Sequence, residues 1–262
     1  MDLDAAFAAA SRDVLSPRRI TVALMEVGAW HPWRQDAHAL LDAAETARVQ
    51  RRRDPAQRDA LALAYAWHRL LLARLLGLDP ADVPLQRDAR GCPRLAGDLA
   101  HTSLSHADGV VAVAMTTSGP VGVDIELATR AAVMAEIARC VCHRSESEHF
   151  AALMGPARAT AFLALWVRKE AVLKAAGVGL EVAMETFAAP EHDALPLPGA
   201  RSAVVQVRML EAGPSCVAAV AGPAGVAVSC NWLRPPAARG VGGPAHWGRI
   251  ADPLHLSAAE AA

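Results

Sequence analysis

Aromatic residues are scarce in this 262-residue chain, at 4% of positions, although hydrophobic residues make up 53%. Much of that content is alanine and leucine, so the interior must be close-packed aliphatic helix and sheet, anchored by a few tryptophans. No apolar run reaches the roughly 18 to 20 residues that a bilayer span needs. The start, Met1-Asp2-Leu3-Asp4-Ala5-Ala6, lacks a basic region leading into an apolar stretch, so it does not read as a secretory signal. A cytoplasmic location is the expectation.

Cysteine is sparse as well. Cys92, Cys140, Cys142, Cys216 and Cys230 are an odd number without paired metal spacing, which fits a reducing compartment better than a disulfide framework. Cys140-Val141-Cys142-His143 is the only cluster, and an i, i+2 pair presents its sulfurs awkwardly to one zinc ion. Net charge is nearly absent, at −1, so no global field draws the chain to nucleic acid or membrane. Locally, Arg48, Arg51, Arg52, Arg53 and Arg58 crowd one stretch with only Asp54 among the acids. That stretch has no interleaved aromatic platform for RNA, and its ordinary reading is a solvated helix face.

The length admits one large domain or two of about 130 residues. Ile20 to Val27 is rich in β-branched residues and predicts a first strand. A helix is expected from about Asp36 to Arg48, and a long buried one from Gln57 to Leu76, stopped by Gly77. Gly91-Cys92-Pro93 marks a turn. Gly109 to Met115 reads as a strand, with Val121 onward as its hairpin partner across Thr117-Ser118-Gly119-Pro120. The second half repeats the order: helices near 131–142, 145–153 and 157–176, then strands near 203–210, 215–221 and 225–233. The expected fold class is therefore α+β, with two similar halves, each a long helix on an antiparallel sheet, and a cleft between them. The expected divisions are 1–118, 119–233 and a Pro-, Gly- and Ala-rich tail, 234–262, read as mobile.

Two segments carry the chemistry. In Gly122-Val123-Asp124-Ile125-Glu126, strand alternation projects Asp124 and Glu126 side by side, which invites a hard cation. In Trp166-Val167-Arg168-Lys169-Glu170-Ala171-Val172-Leu173-Lys174, helical spacing aligns Trp166, Glu170 and Lys174 in one stripe. Together they offer three carboxylates and two lysines to a magnesium-bound pyrophosphate. Each has a plainer reading: Glu170 and Lys174 as a surface pair, Asp124 and Glu126 as the solvated face of an edge strand, Trp166 as a packing anchor.

Taken with Leu104-Ser105-His106 and Gly177, these motifs stand in the order found in the 4'-phosphopantetheinyl transferases of the surfactin-synthetase type, which the chain resembles over about 47–222. The resemblance implies transfer of phosphopantetheine from coenzyme A to a serine of an acyl or peptidyl carrier protein, by a monomer of two halves. It implies Asp124, Glu126 and Glu170 as magnesium ligands. Glu170 is also the candidate base, and Lys174 the cation that steadies the phosphates. Ser105 and His106 match the contact to the 3'-phosphate of coenzyme A, and a phosphate there would favour the protonated ring. Lys169, Arg53 and Arg58 are placed with the coenzyme A contacts.

The chain departs from that pattern at Cys92, where a lysine is frequent; Arg90 or Arg94 is expected to compensate. It also departs at Val178, another frequent lysine position, and at Ala107, where a serine is common. Two other classes use the same residues. A metal-dependent phosphohydrolase would act on a nucleotide pyrophosphate with water, and a coenzyme A binding module would keep the basic contacts without turnover.

Overall fold

The computed structural model describes residues 1–11, 19–88, 91–134, 140–199 and 203–236. In its first half, α1 (Leu3–Ala10) precedes β1 (Ile20–Glu26), α2 (Val27–Trp30), α3 (Arg34–Ala39), α4 (Ala43–Gln50) and α5 (Pro55–Leu76). The hairpin strands β2 (Leu85–Arg87) and β3 (Pro93–Leu95) follow, then β4 (His101–Ala107) and β5 (Val110–Thr116). The second half contains β6 (Gly122–Leu127), α6 (Ala131–Met134), α7 (Arg144–Ala151) and α8 (Gly155–Ala176). It ends with β7 (Ala194–Pro196), β8 (Val204–Leu210), β9 (Cys216–Pro223) and β10 (Val228–Trp232).

Local chemistry sets the helix limits. Asp54 caps α5 by accepting the Ala56 N–H at 2.9 Å, with Pro55 in the first turn, and Gly77 closes it in the left-handed region. The single helix expected over 36–48 is two. Asp42 accepts the Glu45 N–H at 2.8 Å while the Glu45 carboxylate accepts the Asp42 N–H, and this capping box starts a new helix.

The elements stack in four layers. One sheet has the order β10-β1-β5-β4 and the other β6-β9-β8-β7. Ala23, Met25, Val111, Val113 and Met115 face α5, whereas Val22, Leu24, Ala112 and Ala114 face the second sheet at Val123, Ile125, Ala218 and Val220. The outer face of the second sheet, including Val205, Val207, Ala219 and Ala221, packs on α8 through Val167, Ala171, Val172 and Ala175. Cover on both faces explains why β1 and β5 read as nearly unbroken apolar runs. The mixed helix and sheet content agrees with the α+β expectation.

Two pairings differ from the sequence reading. The hairpin partner of β5 is β4, while β6 leaves for the second sheet and pairs with β9. Val123 and Ile125 are needed in the intersheet core, so the turn at 117–120 carries the chain over the first sheet instead of along it. The last strand, β10, crosses back to pair parallel with β1, so strand 228–232 completes the first sheet and not the second half where it was expected. The proposed tail is described only through residue 236, the rest lying outside the described residues.

Candidate active site

The exposed edges of the two sheets meet at β4 and β6, and serine hydroxyls join them. Ser103 Oγ accepts the Val123 N–H at 3.1 Å, and Ser105 Oγ accepts the Ile125 N–H at 3.4 Å. Their i, i+2 spacing puts both on one face of β4, and a strand edge that would otherwise hold unpaired N–H groups is satisfied. On β6, Gly122, Asp124 and Glu126 share the face opposite the intersheet core, toward α8. A Cβ on Gly122 would stand 2.0 Å from the Ala171 carbonyl oxygen and 2.3 Å from the Ala175 nitrogen. Only glycine lets α8 approach this closely, and the approach delivers Glu170 and Lys174 to Asp124.

At that junction Lys174 Nζ lies 2.5 Å from Asp124 Oδ1 and donates to Ser105 Oγ at 2.8 Å, while Ser105 donates to the same Asp124 oxygen at 2.8 Å. Asp124 is 4% exposed, and its other oxygen, Oδ2, is buried without a hydrogen-bond partner. Arg130 pairs with Glu126 at 3.1 Å. Desolvation, then the charges of Asp124 and Glu126, push the Glu170 carboxyl up to about 7, with Lys174 acting the other way. Glu126 is raised for the same leading reasons, burial and Asp124.

Among the described residues no three His, Cys, Asp or Glu side chains stand close enough together to hold a metal ion. The acids are balanced instead by Lys174 and Arg130. The donor set nevertheless suits a hard divalent cation: it is all oxygen, burial and then the charge of Asp124 raise two of its carboxyl groups, and it includes the orphaned Asp124 Oδ2.

These residues line one end of a cavity of about 500 Å³. Arg87, Arg94 and His101 line the same cavity, with Tyr65, Cys92 and Asp98. His106 lines this cavity and also a second one of about 310 Å³ that includes Arg52 and Gln57. Desolvation, then Lys174 and Arg52, lower the pKa of His106, so the ring of the free protein favours the neutral form.

Several expected contacts are placed elsewhere. Lys169 is fully buried on another side of α8, where its Nζ pairs with Glu146 at 2.7 Å and donates to the Met184 and Phe187 carbonyls. It fastens α7 and the 184–187 turn to α8 and takes no part in the cavity. Ser105, one residue before His106, faces the opposite side of β4, and its hydroxyl is fully used on Asp124, Lys174 and Ile125. It holds Asp124 and Lys174 together and lines the same cavity as His106. Neither Arg53 nor Arg58 lines either cavity; Arg53 is exposed, and Arg58 Nη1 donates to the Arg52 carbonyl. Arg90 lies outside the described residues, whereas Arg94 lines the cavity beside Gly177. Sequence reasoning missed Ser103, Arg87 and Arg130; the Ser-x-Ser repeat on β4 was the one signal available for the first.

An acidic centre with a lysine thus shares one cavity with Arg87, Arg94 and His101. Residues 120–204 match the family model of the 4'-phosphopantetheinyl transferase superfamily, a span that holds β6 and α8. The chain is 28% identical over 150 residues to the 4'-phosphopantetheinyl transferase HetI of a Nostoc species, covering 56% of this chain and 63% of HetI. It is 28% identical over 145 residues to slr0495 of a Synechocystis species, whose name provisionally assigns it the same activity, covering 54% and 59%. The chain thus spans about three fifths of the length of these relatives.

Proposed function

We propose that this protein transfers the 4'-phosphopantetheine group of coenzyme A to a serine hydroxyl of an apo acyl or peptidyl carrier protein. The carrying observation is the Asp124–Ser105–Lys174 cluster with Glu170 beside it in the cavity, built from the segment that matches the superfamily. The serine oxygen attacks the β-phosphorus of the pyrophosphate. The bond to the bridging oxygen breaks, and adenosine 3',5'-bisphosphate leaves.

Asp124, Glu126 and Glu170 would hold magnesium, which when bound neutralises pyrophosphate charge. Lys174 offers its ammonium to the same phosphates and steadies the leaving group. Glu170, beside Asp124 and Lys174 in the cavity, is the carboxylate to which we assign acceptance of the serine proton. His106 meets the nucleotide end and gains its proton as the phosphate binds. The surfactin-synthetase subtype, a monomeric state and a cytoplasmic location belong to the same reading. Among the described residues no helix is long and apolar enough to cross a membrane.

The test is the intact mass of an apo carrier protein after incubation with this protein, coenzyme A and magnesium, beside folded Asp124→Ala and Glu170→Ala variants. We expect a gain of one phosphopantetheine in wild type and none in the variants. Free phosphopantetheine without carrier modification would establish the hydrolase reading instead.

A further inference from the structure

Two cations neutralise the acidic centre, and they are held in different ways. Lys174 is bound within the cavity by both Asp124 and Ser105. Arg130 reaches Glu126 from outside, for Glu126 lines the cavity and Arg130 does not. Its Nη1 donates to Glu126 Oε1 at 3.1 Å and stands 3.3 Å from Oε2, so it engages both oxygens of the carboxylate. Among the described residues its side chain has no other hydrogen-bond partner, and it is 49% exposed, against 12% for that of Glu126.

The backbone that carries Arg130 is anchored. The turn Ala128–Arg130 is tied beside the start of β9 by the Ala128 N–H, which donates to the Ser215 carbonyl at 2.9 Å, and it runs on into α6. A long side chain on a fixed Cα can leave Glu126 by rotation alone, and an ion pair this exposed is worth little. Asp124, Glu126 and Glu170 meanwhile repel one another unless a cation stands among them. Arg130 supplies one positive charge from the rim, where a divalent ion would supply two at closer range. With both on Glu126, the guanidinium and the ion would face each other as like charges.

We propose that Arg130 is an exchangeable counter-ion, which holds Glu126 until a divalent cation binds there and is then displaced. Lys174, secured by Ser105 as well as Asp124, stays in place. Arg130 is thus a positioning residue: it keeps the crowded carboxylates in the fold before the ion arrives, at the expense of weaker binding of that ion. The inference deepens the magnesium reading above and rests on it.

Two measurements on wild type, Arg130→Gln and Arg130→Lys test it: titration with manganese(II) followed by water-proton relaxation, and the thermal midpoint with divalent ions chelated or saturating. Arg130→Gln should bind manganese(II) about two- to five-fold more tightly, the change in affinity that corresponds to an exposed ion pair. Its midpoint should fall below that of wild type under chelation and draw level with it or pass it in saturating manganese(II). Arg130→Lys keeps the charge without the planar fork and should lie between the two in both measurements. Unchanged or weaker manganese(II) binding by Arg130→Gln, or an equal loss of midpoint with and without the ion, overturns the proposal, because the pair would then persist beside the bound cation. Absence of manganese(II) binding in wild type, or binding that survives Asp124→Ala and Glu170→Ala unchanged, overturns the magnesium reading itself.

Discussion

Glu170 shows how a single side chain links stability to the site it serves. An unfolded chain ionises this carboxyl near its ordinary 4.5, whereas the fold holds it to about 7. Between those values the folded state retains a proton that the unfolded state has lost, so stability falls as pH rises through the window. Above it the full penalty is present, on the order of 1 to 3 kcal/mol for a partly buried group. With divalent ions chelated, Glu170→Gln should therefore raise the denaturation midpoint at pH 8 and change it little at pH 4.5. Equal stabilisation at both pH values would show that ionisation of this buried carboxyl beside Asp124 and Glu126 is not its source. Lys169, its neighbour, behaves differently because it sits about 100° around the helix. Lys169→Met strips the partner from a largely buried Glu146, and a loss of about 3 kcal/mol is expected in urea unfolding. Coenzyme A affinity of the folded fraction should hold, whereas a large fall in affinity would return Lys169 to the cavity. The stripe of Trp166, Glu170 and Lys174 was legible from helical spacing, and that spacing already excluded Lys169. The sequence reading nevertheless counted Lys169 toward the pyrophosphate, although adjacency in a motif carries no information about direction.

At the scale of elements, the site depends on how closely α8 rests on β6. Gly122 occupies the face of β6 that carries Asp124 and Glu126, so its missing side chain is a condition for the encounter with Glu170 and Lys174. Gly122→Ala must push the Ala171 and Ala175 backbone away by more than an ångström, and overpacking of that kind costs about 1 to 3 kcal/mol or more. The expected result is a lower urea midpoint together with loss of carrier modification in the protein that remains folded. Full activity at an unchanged midpoint would mean that the α8–β6 spacing is not what positions Lys174. The alternation that aims Asp124 and Glu126 together was readable from the sequence. The serines of β4 that hold the strand edge were not, since Ser105 looked equally suited to a phosphate. Which partner a hydroxyl takes is decided by the strand facing it, and the pairing of β6 with β9 left its other edge toward β4.

Over the whole molecule, the two halves recognised in the sequence are not two independent units. Their inner faces share one core, formed by Val22, Leu24, Ala112 and Ala114 against Val123, Ile125 and Val220. The crossing strand β10 ties them again: Leu233 donates its N–H to the Leu24 carbonyl at 2.8 Å and accepts from Trp30 Nε1 at 3.2 Å. Local periodicity located most strands to within a few residues, yet it could not indicate that the last one returns to β1. Pairings of high sequence separation are settled by burial, because an exposed β1 edge beside an apolar interior would be the alternative. From this topology we expect cooperative unfolding of both sheets. Native-state hydrogen exchange should give the buried amides of β5 and β8 the same opening free energy, within error. Ile125→Ala, which cuts into the shared core, should lower both by the same amount, about 2 to 4 kcal/mol for a buried isoleucine. If β8 were lowered while β5 kept its protection, the sheets would open separately, and the cavity between their edges would be a joint between two folding units. If they fall together, the position of Asp124 relative to the β4 serines is fixed by the global stability of the fold, and a substitution far from the cavity acts on the site only by unfolding it.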